Sequence, residues 1–93
     1  MNREVLMEAI QTYGSDHQLN VAIEEMAELT KEICKRKRMA NNRKEIIEEM
    51  ADVLIMLEQL KLIFNISSTE LEEQVNFKIA RLQERMKENE KKM

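Results

Sequence analysis

Two eight-residue segments of this chain are nearly the same. Residues 22–29 read AIEEMAEL, and residues 46–53 read IIEEMADV. On a helix, Glu25 and Glu49 lie about 100° round from the methionine of their own segment, Met26 or Met50, and Glu28 and Asp52 about 160° round on the same side. Each segment therefore projects two carboxylates, one turn apart, from one flank of an apolar stripe. Carboxylates grouped in this way are hard oxygen ligands, suited to Mg²⁺ or Mn²⁺ rather than Zn²⁺. A di-iron carboxylate bundle would need Glu-x-x-His on two helices. The only histidine, His17, belongs to neither segment.

An antiparallel hairpin would set the two segments against each other. A turn centred between Arg38 and Met39 places Glu25 level with Asp52 and Glu28 level with Glu49, four carboxylates at one height. Two carboxylates about 4 Å apart repel by around 4 kcal/mol at an effective dielectric near 20. A half-buried group of four must therefore protonate or recruit a cation. One ExxE or ExxD pair arises readily by chance in a Glu-rich helix. Two pairs matched in phase, height and apolar setting favour metal binding. The same flank of the second segment's helix carries Met56 and Ile63, and Val53 to Leu57 is apolar right round. That pattern predicts a helix buried on more than one side.

Four helices are predicted to position these groups. The first runs from about Arg3 to Tyr13, with Val5, Leu6, Ala9 and Ile10 at helical spacing, and ends at Gly14, where a left-handed cap is wanted. The second opens at Ser15, with Gln18 completing a capping box. Its stripe is Leu19, Ala22, Ile23, Met26, Leu29, Thr30 and Ile33. The cations Lys35-Arg36-Lys37-Arg38 suit its C-terminus, where they oppose the dipole. Asn41 or Asn42 caps the third helix, with Glu45 three residues after Asn42, and this helix continues to about Phe64. Ser67 and Glu70 form a capping box for the fourth, which starts at about Thr69 and carries a stripe of Leu71, Val75, Ile79, Leu82 and Met86. The charged tail, about 87–93, is expected to fray.

Composition narrows the class. With no Pro and one Gly in 93 residues, turn-rich strand architectures lose their punctuation. Aromatics at 3% and charged residues at 35% suit long amphipathic helices. The expectation is an all-α chain, one domain over 1–93, resembling a four-helix bundle whose hairpin core is completed by oligomerisation. A chain this short buries only about 60–65% of its unfolded surface, so a homodimer or homotetramer is expected. A net charge of −3 gives no support for binding nucleic acid. The longest apolar run, Val53 to Leu57, falls far short of the roughly 20 residues of a membrane span. No secretory core occupies Met1 to Ile10. A lone Cys34 permits no internal disulfide, so a soluble cytoplasmic protein is expected. Cys34 itself reads as a packing residue, His17 as a polar first-turn residue, and the eight methionines mostly as core or subunit contacts.

The run Glu24-Glu25-x-x-Glu28-x-x-Lys31 followed by Glu49-x-x-Asp52 resembles the signature of the MazG-type all-α nucleotide pyrophosphohydrolases, EExxE and then ExxD, with every position filled. The resemblance is strongest from Ser15 to Phe64. It extends to Asn76-x-Lys78-x-x-Arg81, similar to a later family element that contacts the substrate's phosphates. It implies hydrolysis of a nucleoside triphosphate between its α and β phosphates, giving a monophosphate and pyrophosphate, in the upkeep of the nucleotide pool. By position it implies Glu25, Glu28, Glu49 and Asp52 as ligands of Mg²⁺, with Mn²⁺ a possible substitute. Glu24 would orient or deprotonate the attacking water. Lys31, Lys78 and Arg81 would neutralise phosphate charge, and Asn76 would add a polar contact.

The residues fit that chemistry in their own right. Phosphoryl transfer is mostly positioning and charge neutralisation, and Lys78, Arg81 and Arg85 share one flank of the Ile79 stripe. Arg85 alone, and the Lys35 to Arg38 run, read more simply as solvated. Two other readings compete. One is the phosphoribosyl-ATP pyrophosphohydrolase of the same superfamily, although Gln11-Thr12-Tyr13-Gly14 stands where a Ser-Tyr-Thr stretch is expected. The other is a non-enzymatic helical assembly or adaptor protein whose acidic flank is merely solvated.

Overall fold

The computed structural model describes residues 1–92, and the chain folds as four α-helices: α1 (Arg3–Tyr13), α2 (Ser15–Lys37), α3 (Arg43–Ile63) and α4 (Ser68–Lys92). No strand occurs among the described residues. The helix order and the all-α class are those expected. Of the tail expected to fray, residues 87–92 continue α4, and Met93 lies outside the described residues.

Helix boundaries have local causes. The Asn2 side chain accepts the Val5 N–H at 3.2 Å and caps α1, a cap the apolar spacing alone does not reveal. Gly14 closes α1 with its N–H on the Ile10 carbonyl. Its φ of 91° is the positive value only glycine adopts freely, but ψ is 150°, so it is not the left-handed cap expected. Ser67 and Glu70 form the full capping box of α4: the Ser67 N–H donates to Glu70 at 2.8 Å, and the Glu70 N–H to Ser67 Oγ at 3.1 Å. This holds the Glu70 carboxyl below its usual range. The other two expected boxes do not form. α2 and α3 have no side-chain cap bond: the cap residue of α2 is Gly14, which has no side chain, with Ser15 already helical, and the Asn42 side chain is turned to Glu32.

Those contacts define the hairpin. α2 and α3 pack antiparallel through a seam of Gln18, Ala22, Glu25, Leu29 and Glu32 against Asn42, Ile46, Glu49, Val53, Met56 and Gln59, all buried or half-buried. Their spacing of mostly three and four residues is that of helices meshing side by side. α1 lies against the open end of this hairpin and buries Leu6. The seam corrects the expected apolar stripe of α2. That stripe is centred on Met26, whereas the seam runs roughly 80° round from it, through Glu25. Ile23, Met26 and Ile33 are left exposed, Ile23 by 67%. On α3, Leu54, Ile55 and Leu57 are likewise exposed within the chain, so its burial on several sides is not achieved by one copy. Among the described residues only Leu6, Ala22 and Met56 form a buried apolar core. Cys34 is exposed rather than packed. Among the described methionines only Met56 is buried.

Candidate metal centre

The mid-section of the hairpin brings both acidic segments together. Oxygens of Glu25, Glu49 and Asp52 all lie within 4.8 Å of one another. Glu28 stands outside this group of three, yet its charge is felt at both Glu25 and Glu49. The four carboxylates predicted to share one level therefore form one electrostatic cluster. Glu25 and Glu49 are half-buried in the seam, whereas Glu28 and Asp52 are exposed at its edge. Relative to the seam, Glu28 and Asp52 lie about 80° to one side, and because the helices run antiparallel they open onto the same face.

The electrostatics are those of crowded like charges. Burial pushes the Glu25 carboxyl above its usual range, and the charges of Asp52 and Glu49 push it further. Burial likewise raises Glu49, followed by the charges of Asp52 and Glu28. Among the described residues none of the four carboxylates makes an ion pair, since the three pairs present are Lys35–Glu32, Lys44–Glu48 and Lys61–Glu58. One oxygen of Glu49, Oε2, is buried without any hydrogen-bond partner. An orphaned carboxylate oxygen inside a cluster of like charges costs free energy unless a cation is supplied. The donor set is oxygen only, which suits Mg²⁺ or Mn²⁺.

Two buried polar bridges hold this level, and neither was foreseen from the sequence. Gln18, seven residues before Glu25, donates to the Gln59 side chain, seven after Asp52, at 2.7 Å. The two are 5% and 3% exposed. Near the turn, Asn42 Nδ2 donates to the Glu32 carboxylate at 2.7 Å and to the Glu32 carbonyl at 2.9 Å. The Asn42 bond, and then Lys35, hold the buried Glu32 carboxyl below its usual range against the effect of burial. Buried polar partners penalise any slipped register, because slippage would leave them unpaired. We expect Gln18→Leu to cost about 1–3 kcal/mol, the penalty of an unpaired buried amide. Gln18→Leu with Gln59→Leu should recover most of that stability while weakening Mn²⁺ binding, as measured by thermal melts and metal titration.

The remaining expected site residues are not gathered at the cluster. Glu24 is exposed one turn before Glu28, on the same side of α2. Lys31 is exposed, and its charge reaches Glu32. Asn76, Lys78 and Arg81 lie on α4, whose residues are all exposed as far as Lys91. The Arg81 guanidinium sits 6.0 Å from the Phe77 ring centroid instead. His17 is exposed in the first turn of α2 and stacks on Tyr13 with ring centroids 5.4 Å apart. No family model, no curated protein and no solved structure matches this chain. Among the described residues no helix is long and apolar enough to cross a membrane. What the fold and site define is an all-helical chain with a carboxylate cluster in its central hairpin.

Proposed function

We propose that this chain is a Mg²⁺-dependent nucleoside triphosphate pyrophosphohydrolase of the MazG-like kind, acting in the cytoplasm as an assembly of identical chains. The observation that carries the reading is the cluster of Glu25, Glu49 and Asp52, with Glu28 beside it and Glu49 Oε2 unpartnered. The EExxE and ExxD spacing supports it independently. Glu25, Glu28, Glu49 and Asp52 would hold the cation. Mg²⁺, when bound, supplies neutralisation of phosphate charge and lowers the pKa of a water molecule. Glu24, on the acidic face, orients the attacking water and takes its proton. Lys31, Lys78, Arg81 and Asn76 bind and align the phosphate oxygens, so that the bond between the α-phosphorus and the bridging oxygen lies opposite the incoming water. The products are a monophosphate and pyrophosphate.

The test is product analysis after incubation with a panel of ribo- and deoxyribonucleoside triphosphates and Mg²⁺. Monophosphate plus pyrophosphate, lost in Glu49→Gln, is the expected result. Turnover of phosphoribosyl-ATP alone would move the chain to that branch of the superfamily. No turnover of any substrate would leave a non-enzymatic assembly protein.

A further inference from the structure

Charge is spread very unevenly along this chain. Residues 31–44, which span the end of α2, the turn and the start of α3, carry seven cations and one acid. That is +6 in a chain of net charge −3, so the remaining residues carry −9. The dipole of α2 accounts for part of this, since Lys35, Arg36 and Lys37 fill its last turn. It does not account for Arg43 and Lys44, which open α3 at the end where a helix dipole disfavours cations. Nor do local ion pairs use up the charge. Lys35 and Lys44 each reach one glutamate, whereas Arg36, Lys37, Arg38 and Arg43 are exposed and pair with no carboxylate among the described residues.

The turn places an apolar side chain in the middle of these cations. α2 ends in a Schellman motif, in which the Met39 N–H donates to the Arg36 carbonyl at 3.0 Å and the Ala40 N–H to the Lys35 carbonyl at 3.2 Å. Met39 takes the left-handed position, with φ 71°, where glycine or asparagine is usual. The link after α3 makes the equivalent bonds and does hold asparagine there, Asn65 at φ 54°. The Met39 side chain is 91% exposed, more than any other large apolar residue among those described. Neither backbone preference nor packing within the chain accounts for a methionine at this point. α1 packs at the other end of the hairpin and α4 starts from that end, so the turn stands as a convex tip.

An apolar side chain on a convex tip, ringed by unpaired cations, is complementary to a flat, negatively charged surface with an oily interior. A nucleic-acid strand would want a groove with aromatic side chains for its bases, and residues 31–44 contain no aromatic. We propose that the turn docks on an anionic phospholipid bilayer. Met39 enters the boundary between headgroups and acyl chains, and the surrounding cations lie among the lipid phosphates. The carboxylate cluster then stands roughly 15 Å back from the tip, the rise of about ten residues of α2. That is beyond the roughly 10 Å over which its charge is felt at 0.1 M salt. Docking at the turn is therefore independent of the enzymatic reading above.

The experiment is co-sedimentation of the full chain with sucrose-loaded vesicles, in about 0.1 M NaCl without divalent cations. Vesicles of phosphatidylcholine alone are compared with vesicles of phosphatidylcholine and phosphatidylglycerol. Binding to the mixed vesicles only, lost as the salt is raised to about 0.5 M, is expected. Replacing Arg36, Lys37 and Arg38 together by Gln should weaken it about 100-fold, at roughly five-fold per cation. Replacing Arg85, Lys87 and Lys91 by Gln removes the same charge from α4 and should leave binding within about two-fold of wild type. Met39→Gly should weaken binding about ten-fold while melting no lower than wild type, because glycine suits the positive φ. If the triple variant at the turn loses its helicity, the salt dependence and Met39→Gly carry the same test. Binding to neither vesicle at millimolar lipid, equal binding to both, or equal losses in the two triple variants overturns the proposal. Met39→Gly binding as tightly as wild type overturns the insertion of Met39. Retention of a single- or double-stranded oligonucleotide, with no binding to mixed vesicles, overturns the proposal and assigns the tip to nucleic acid.

Discussion

Glu49→Gln and Asp52→Asn are expected to abolish turnover and weaken metal binding while raising the melting temperature of the metal-free protein. Loss of activity and gain of stability are opposite outcomes of one change, so the pair is diagnostic. In the metal-free chain Glu49 sits against Glu25, Asp52 and Glu28, with one oxygen buried and unpartnered. An amide removes the charge from this repulsive group and adds donors that the neighbouring carboxylates can accept. It also removes a ligand. Loss of an outer partner of a metal ligand already costs 10–100-fold in affinity, so loss of the ligand itself should cost at least about ten-fold. Circular dichroism melts with and without Mg²⁺ measure both effects. With Mg²⁺ at a hundred times its Kd, the wild type gains about 2.7 kcal/mol, on the order of 10 °C for a domain of this size. At the same Mg²⁺ concentration a ten-fold weaker variant should gain about 1.4 kcal/mol, and a weaker one less. If they unfold instead, the carboxylates are structural.

The metal-free protein should become more stable as the pH falls from 7.5 towards 5, and less stable again below about 4. The folded-state carboxyls of Glu25 and Glu49 are raised above their ordinary value of 4.5. Folding therefore favours their protonated forms, and their contribution is lost as pH rises through the raised values. Glu32 and Glu70 are lowered from the same value. Their contribution is present above it and is lost as pH falls through the lowered values. The two groups together predict a stability maximum on the acid side of neutrality. Saturating Mg²⁺ should move that maximum upward, because the cation replaces the protons at the cluster. Glu49→Gln should flatten the neutral limb alone. A stability that only falls from pH 7.5 to 5, without metal, would contradict the description of the cluster.

The sequence made the site more legible than the packing around it. The helix order and the facing of the two acidic segments follow from periodicity and from the length of the turn, because both are set by local geometry. The capping box at Ser67 and Glu70 was legible for the same reason: nothing distant competes for those side chains. Gln18 and Asn42 look like cap-forming residues too, but each has a buried partner, Gln59 or Glu32, far away in the chain. A tertiary contact of that kind leaves no local trace. The misplaced stripe of α2 has a related cause. Hydropathy marks the Met26 side as the face to bury, and a single copy buries the Glu25 side instead. The apolar side, with Ile23, Met26 and Ile33, is left exposed. For α4 the stripe was legible, while its exposure along the described helix was not.

The measurement that bears most directly on the central claim, that the level carboxylates of α2 and α3 form a divalent-cation site, is a Mn²⁺ titration followed by electron paramagnetic resonance. Wild type, Glu49→Gln and the surface variant Glu72→Gln are compared at pH 7.5. Saturable binding in wild type and Glu72→Gln, weakened by about ten-fold or more in Glu49→Gln, is the result expected. Equal affinity in all three proteins, or no saturable binding at millimolar Mn²⁺, would contradict it.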